Sequence, residues 1–165
     1  MKTSSMTLGI LVAGLSAVSI AAYAETPAGQ GGKMEYGEYK DWPVLGVSHR
    51  TEKNTLRAIV GNEIAIKAAR SGNTQPWPDG SIIAKVVWKQ RVHPHWPSAI
   101  VPGEFSAAEA MVKDSKKYAE TGGWGFGHWE GRKLVMNNKE KSAECFACHM
   151  PVKDADYVYT LPVYQ

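Results

Sequence analysis

The spacing of hydrophobic positions changes several times along this chain, and each change predicts an element. Val44, Leu45 and Val47 open an apolar stretch that predicts a strand running to about Thr51. Glu52-Lys53-Asn54 is a polar turn. Thr55 to Val60 returns to β-favouring residues, so the two stretches predict a hairpin. From Asn62 the period lengthens. Ile64, Ala65, Ala68 and Ala69 make the apolar stripe of a short helix through Arg70, with Asn62 as its N-cap and Gly72 just past its end. Gln75-Pro76-Trp77-Pro78-Asp79-Gly80 is dense in turn residues. Ser81 to Val92 follows as the clearest strand. Ile82, Ala84, Val86 and Trp88 fall on one face, and Ile83, Lys85 and Val87 on the other. Lys85 is flanked on its own face by two aliphatic residues, so it either snorkels to an edge or enters a pocket.

His93 opens a loop that reaches Gly103. Phe105 to Val112 alternates like a strand, yet its alanines suit a helix. Asp114 to Glu120 predicts a short helix, capped by Asp114 and stopped at Gly122-Gly123. Trp124-Gly125-Phe126-Gly127-His128-Trp129 reads as a strand that something approaches closely at its glycines. Arg132 to Met136 continues that hairpin, Asn138 to His149 is helical, and Tyr157 to Thr160 is β-like or extended. The expected fold is α+β, mainly antiparallel sheet with a few short helices. The four long amphipathic runs of a helical bundle are absent.

The N-terminal stretch has a different pattern. Lys2 precedes an apolar run, Met6 to Ala21, and Ala22-Tyr23-Ala24 is a small-x-small cleavage site. Residues 1–24 are therefore expected to be a signal peptide. The run falls short of the roughly 20 residues a membrane span needs, so no stable membrane insertion is expected after cleavage. Residues 25–35 read as a flexible leader and 36–165 as one domain, large enough to enclose a cofactor. Export points to the periplasm. The formal net charge of +3 is too small to argue for nucleic acid as a partner.

The chemistry gathers near the C-terminus, at Cys145-Phe146-Ala147-Cys148-His149. C-x-x-C-H is the attachment sequence of a c-type haem. The two cysteines add to the haem vinyl groups as thioethers, and His149 supplies an imidazole to the iron. These are the chain's only two cysteines. A redox C-x-x-C would sit in a βαβ pattern, which is absent here. Attachment of this haem takes place outside the cytoplasm, in agreement with the signal peptide. A methionine or histidine on the opposite side of the iron would make an electron carrier, and an open sixth site a ligand-binding or catalytic centre. Met111 and His128 are the main competitors for that position. His93-Pro94-His95, one H-x-H among prolines, is a weak metal signal.

The chain resembles the cytochrome P-460 family over nearly all of its length after the leader. The stretches that carry the resemblance are Tyr39-Lys40-Asp41-Trp42, Leu56-Arg57, Pro78-Asp79-Gly80-Ser81 with Lys85 downstream, and Val112 to Tyr118. Gly123-Trp124-Gly125-Phe126, the haem motif and Asp156 to Thr160 complete it. The resemblance implies an antiparallel sheet holding one five-coordinate haem c. It implies oxidation of hydroxylamine, with nitric oxide as a further reactant, and electrons passed to a periplasmic acceptor. It implies a third covalent bond to the haem edge from a lysine, a place Lys85 occupies five residues after Gly80. It also puts an arginine and a glutamate on the distal side, where Arg57 and Glu109 match, and a homodimer among its assemblies. Its β-fold cytochrome c-prime relatives lack the lysine bond. They bind nitric oxide or carbon monoxide in an apolar pocket, which Trp124, Phe126 and Trp129 would line here.

Overall fold

Each strand of this protein pairs with the next one in sequence, so that six strands form a single antiparallel sheet in the order β1-β2-β3-β4-β5-β6. The computed structural model describes residues 38–131 and 133–164. The expected signal peptide and most of the expected leader lie outside them. Strand β1 is Val44–Arg50 and β2 is Thr55–Gly61, joined by a short 3-10 turn and Asn54 in the left-handed region. After helix α1, Glu63–Ser71, come β3, Ile82–His93, and β4, Trp96–Lys113. Strands β5, Trp124–Glu130, and β6, Lys133–Met136, lead to helix α2, Lys139–His149. Among the described residues no helix is long and apolar enough to cross a membrane.

Side-chain alternation gives the sheet two unlike faces. Tyr39, Val60, Ala84, Val86 and Ala108 cluster on one, with Trp42, Trp88 and Trp129 against them. Ile59, Ile83, Met111, Trp124 and Phe126 cluster on the other, beneath Ala65, Ile66, Ala68 and Ala69 of α1. This second face also receives α2, whose Cys145 and Phe146 pack against it partly buried. Helix α1 is fixed by Asn62, whose side chain accepts from Ala65 N–H at 3.0 Å and from Ile82 N–H at 3.0 Å. One residue thus caps the helix and ties it to the start of β3.

Four expectations need correction. The buried stripe of α1 contains Ile66, while Ile64 is 43% exposed at the rim, with Ala65 and Ala69 on the inward face. The stretch after His93 is a tight turn, not a loop, because β4 starts at Trp96 and Val92 pairs with Ile100. The stretch after Asp114 makes turns and one 3-10 helix, Ala119–Thr121. Asp114 does cap its start, its side chain accepting from Lys116 and Lys117 N–H, but the turn is not continued as a helix. Tyr157 adopts a left-handed backbone and joins no strand. The ambiguous Phe105 to Val112 stretch is strand: β3 pairs along it, and from Glu109 onward β5 pairs on its other side.

Candidate functional site

Register decides which side chains meet on the face that α2 covers. Ile59 pairs with Lys85, Lys85 with Glu109, and Glu109 with His128, a row running across β2, β3, β4 and β5. The next row is apolar: Gly61, Ile83, Met111 and Phe126. On the other side Arg57 pairs with Val87, which pairs with Ala107. The sheet therefore presents a polar band bordered by aliphatic residues, next to the helix that carries both cysteines.

Within that band Lys85 Nζ forms an ion pair with Glu109 Oε2. The alternation seen in the sequence thus puts Lys85 in a site among apolar neighbours, not at an edge. Arg57 lies within the field of Glu109, while burial pulls its own basicity down. Its Nε is buried with no hydrogen-bond partner. An unpaired donor of this kind suits a group that binds alongside it. The register puts Lys85, Glu109 and Arg57 on one face.

Helix α2 starts at Asn138, whose side chain accepts from Lys141 N–H at 2.9 Å. None of its side chains is fully buried. Cys145 and Cys148 lie three apart, on one helical face, and both are free thiols. Asn137 Nδ2 donates to Cys145 Sγ at 3.6 Å. Burial is the main cause that raises the Cys145 thiol pKa, and the Glu109 carboxylate adds to it.

His149 ends the helix. Its Nδ1 lies 2.6 Å from the Tyr157 carbonyl oxygen. A carbonyl only accepts, so Nδ1 carries the proton and Nε2 keeps its lone pair. Phe126 and Tyr159 flank the ring, each with centroids 5.4 Å away. Burial, first among the causes, lowers the His149 pKa and favours the neutral imidazole, and the Lys85 charge acts in the same direction. A neutral imidazole with a free Nε2 is what a metal requires of a histidine ligand.

These residues fit a haem. Two free thiols at helical spacing, an oriented neutral imidazole beside them and a facing polar row are the donor set such a group needs. Glu109 and Lys85 lie near enough to act electrostatically on Cys145 and on His149, so the polar row faces the helix that carries them. Among the described residues no three His, Cys, Asp or Glu side chains converge. His93 instead accepts from His95 N–H at 3.1 Å.

The competitors for the sixth position are otherwise engaged. Met111 is in the core beside Ile83 and Phe126. His128 contacts Asn137 Oδ1 through Nδ1 and Glu130 Oε1 through Nε2, both at 3.0 Å. The three aromatic residues expected around an apolar pocket do not gather. Trp124 is fully buried, Phe126 lies against His149, and Trp129 stacks on Tyr39 on the opposite face. Sequence reasoning did not find the Tyr157 carbonyl, because any residue offers one. It also missed Tyr159, whose hydroxyl donates to the Cys148 carbonyl at 3.0 Å.

A family model described as Cytochrome P-460 matches residues 37–160. No curated protein gives a significant match.

Proposed function

The chain belongs to the cytochrome P-460 family, and from that premise we propose that it is an exported mono-haem c-type cytochrome that oxidises hydroxylamine. Membership implies a haem cofactor and haem-dependent redox chemistry in general. The finer reading assigns the thioether bonds to Cys145 and Cys148 and the proximal bond to His149 Nε2. Lys85, Glu109 and Arg57 would face the bound substrate. What carries this reading is the row that sets the Lys85–Glu109 ion pair within electrostatic reach of both Cys145 and His149.

Bound haem supplies the redox centre that takes electrons from the substrate nitrogen and passes them to a periplasmic acceptor. The chain's own residues manage protons and orientation. Hydroxylamine must lose protons as it loses electrons, and the Glu109 carboxylate accepts them as general base. The Lys85 side chain beside it keeps the carboxylate in place before substrate arrives. Arg57, always charged, orients an anionic or strongly dipolar nitrogen oxide through its unpaired Nε. On this face Lys85 is the residue that would occupy the place of the lysine bonded to the haem edge, the covalent feature the family resemblance implies.

The same ion pair supports a second reading. A lysine that keeps Glu109 as its partner stays unbonded to haem, as the resemblance implies for relatives that only bind nitric oxide or carbon monoxide. Turnover separates the two. The haem-loaded protein, given hydroxylamine and an artificial electron acceptor without oxygen, should reduce the acceptor over many cycles. Binding of nitric oxide with no acceptor reduction would overturn the enzyme reading in favour of the gas-binding one.

A further inference from the structure

Two successive left-handed residues support the proximal histidine. Asp156 has φ 49° and Tyr157 has φ 64°. For residues other than glycine this region costs about 1–2 kcal/mol each, and for a bulky one such as tyrosine it persists only where its surroundings hold it. The surroundings do so here. The Asp156 carboxylate accepts from Lys113 Nζ with both oxygens at 2.8 Å, and from Trp77 N–H at 2.8 Å. Its backbone carbonyl accepts from the Trp124 indole at 2.8 Å. Lys113 also donates to the Gly122 carbonyl at 3.1 Å, and its Nζ lies 4.9 Å from the centroid of the Trp124 ring.

Lys113 and Asp156 are 5% and 10% exposed. A buried ion pair of this kind adds little net stability compared with an apolar pair of the same shape, because both charges are stripped of water. Its effect is on geometry. The residue after Asp156 supplies the carbonyl that accepts from His149 Nδ1. The end of β4 is thereby linked to the imidazole through an ion pair and one residue of backbone.

We propose that Lys113 and Asp156 are positioning residues for His149: their ion pair locks the left-handed turn that aims the Tyr157 carbonyl at Nδ1, and so sets the orientation and donor strength of the imidazole. The proposal rests on the reading that His149 binds the haem iron. A strong Nδ1–H···O=C bond gives the ring partial imidazolate character and strengthens its bond to the metal. If the carbonyl is released, the ring tilts within the space that Phe126 and Tyr159 leave it.

The test is resonance Raman spectroscopy of the ferrous haem-loaded protein, which reports the iron–histidine stretch directly. Wild type should give one narrow band. Asp156→Asn and Lys113→Met should move it to lower frequency and broaden it. Trp124→Phe, which removes the indole donor to the Asp156 carbonyl and trims the buried ring beneath Lys113 but keeps the ion pair, should shift it the same way by less. An unchanged band in any folded Asp156→Asn or Lys113→Met protein overturns the proposal. If neither variant takes up haem, Trp124→Phe decides, and an unchanged band there overturns it equally. A wild-type spectrum without an iron–histidine band would instead defeat the assignment of His149 as ligand.

Discussion

Replacing Glu109 by glutamine separates the stability of this site from its chemistry. In the structure the Lys85 and Glu109 side chains are 36% and 49% exposed. Ion pairs exposed to that extent contribute about 0.2–1 kcal/mol, screened by salt. Glutamine keeps the length and one acceptor oxygen, so unfolding free energy should fall by less than about 1 kcal/mol, within about 4 °C in Tm. Loss of a positioned general base is a larger matter. It removes about 10²–10⁴-fold in rate, or roughly 3–5 kcal/mol of barrier. The assay is steady-state hydroxylamine oxidation with excess artificial acceptor, run beside thermal unfolding and nitric oxide binding. Turnover should collapse while Tm and nitric oxide affinity hold. Turnover within about threefold of wild type would refute the proton role, since even a weak base contributes more than that. Parallel loss of Tm and turnover would assign Glu109 to the fold instead.

Three other substitutions test the scaffold. Asn62→Ala removes the α1 cap and the ties to Ile82 N–H and the Gly80 carbonyl; it should cost about 1–3 kcal/mol in urea unfolding. Gly122→Ala puts a methyl 2.3–2.8 Å from Tyr157 ring atoms at a φ of +65°. It should destabilise by about 2–4 kcal/mol, seen as a lower Tm with weakened haem retention. Ser115 donates its amide and hydroxyl to Asp79, which holds the Asp79 carboxyl below its usual range. A depressed carboxyl adds stability that is complete above the unfolded value, about 3.9, and disappears as pH falls through the folded one. The urea midpoint should therefore drop less steeply between about pH 5 and pH 2 in Asp79→Ala than in wild type.

The sheet was legible where alternation is strong and turn residues are unambiguous. Lys85 could be placed on its face from Ile83 and Val87 alone, and Asn62 and Gly72 marked both ends of α1. Its rim was harder to read, since Ile64 looks as apolar as Ile66 until the helix has an axis against the sheet. The β3–β4 hairpin concealed its tip because His93-Pro94-His95-Trp96-Pro97 has loop composition, yet Val92 and Ile100 pair across it. Of the candidate site, the C-x-x-C-H stretch was readable as five residues in a row. The partner of Glu109 was not, because strand pairing between residues 24 apart depends on hairpin register, which composition does not encode. Least legible was the Asp156–Tyr157 turn. Its left-handed backbone is imposed by Lys113, Trp77 and Trp124, all distant in sequence.

The absorption spectrum of the ferrous protein, made with haem-attachment machinery, reports whether Lys85 is bonded to the haem. The expected result is a broadened, strongly red-shifted Soret band, with haem still attached to a Lys85 peptide as well as to the Cys145–Cys148 peptide after digestion. An ordinary high-spin ferrous haem c spectrum with a free Lys85 peptide would contradict it, and would leave a cytochrome that binds small gases without turning them over.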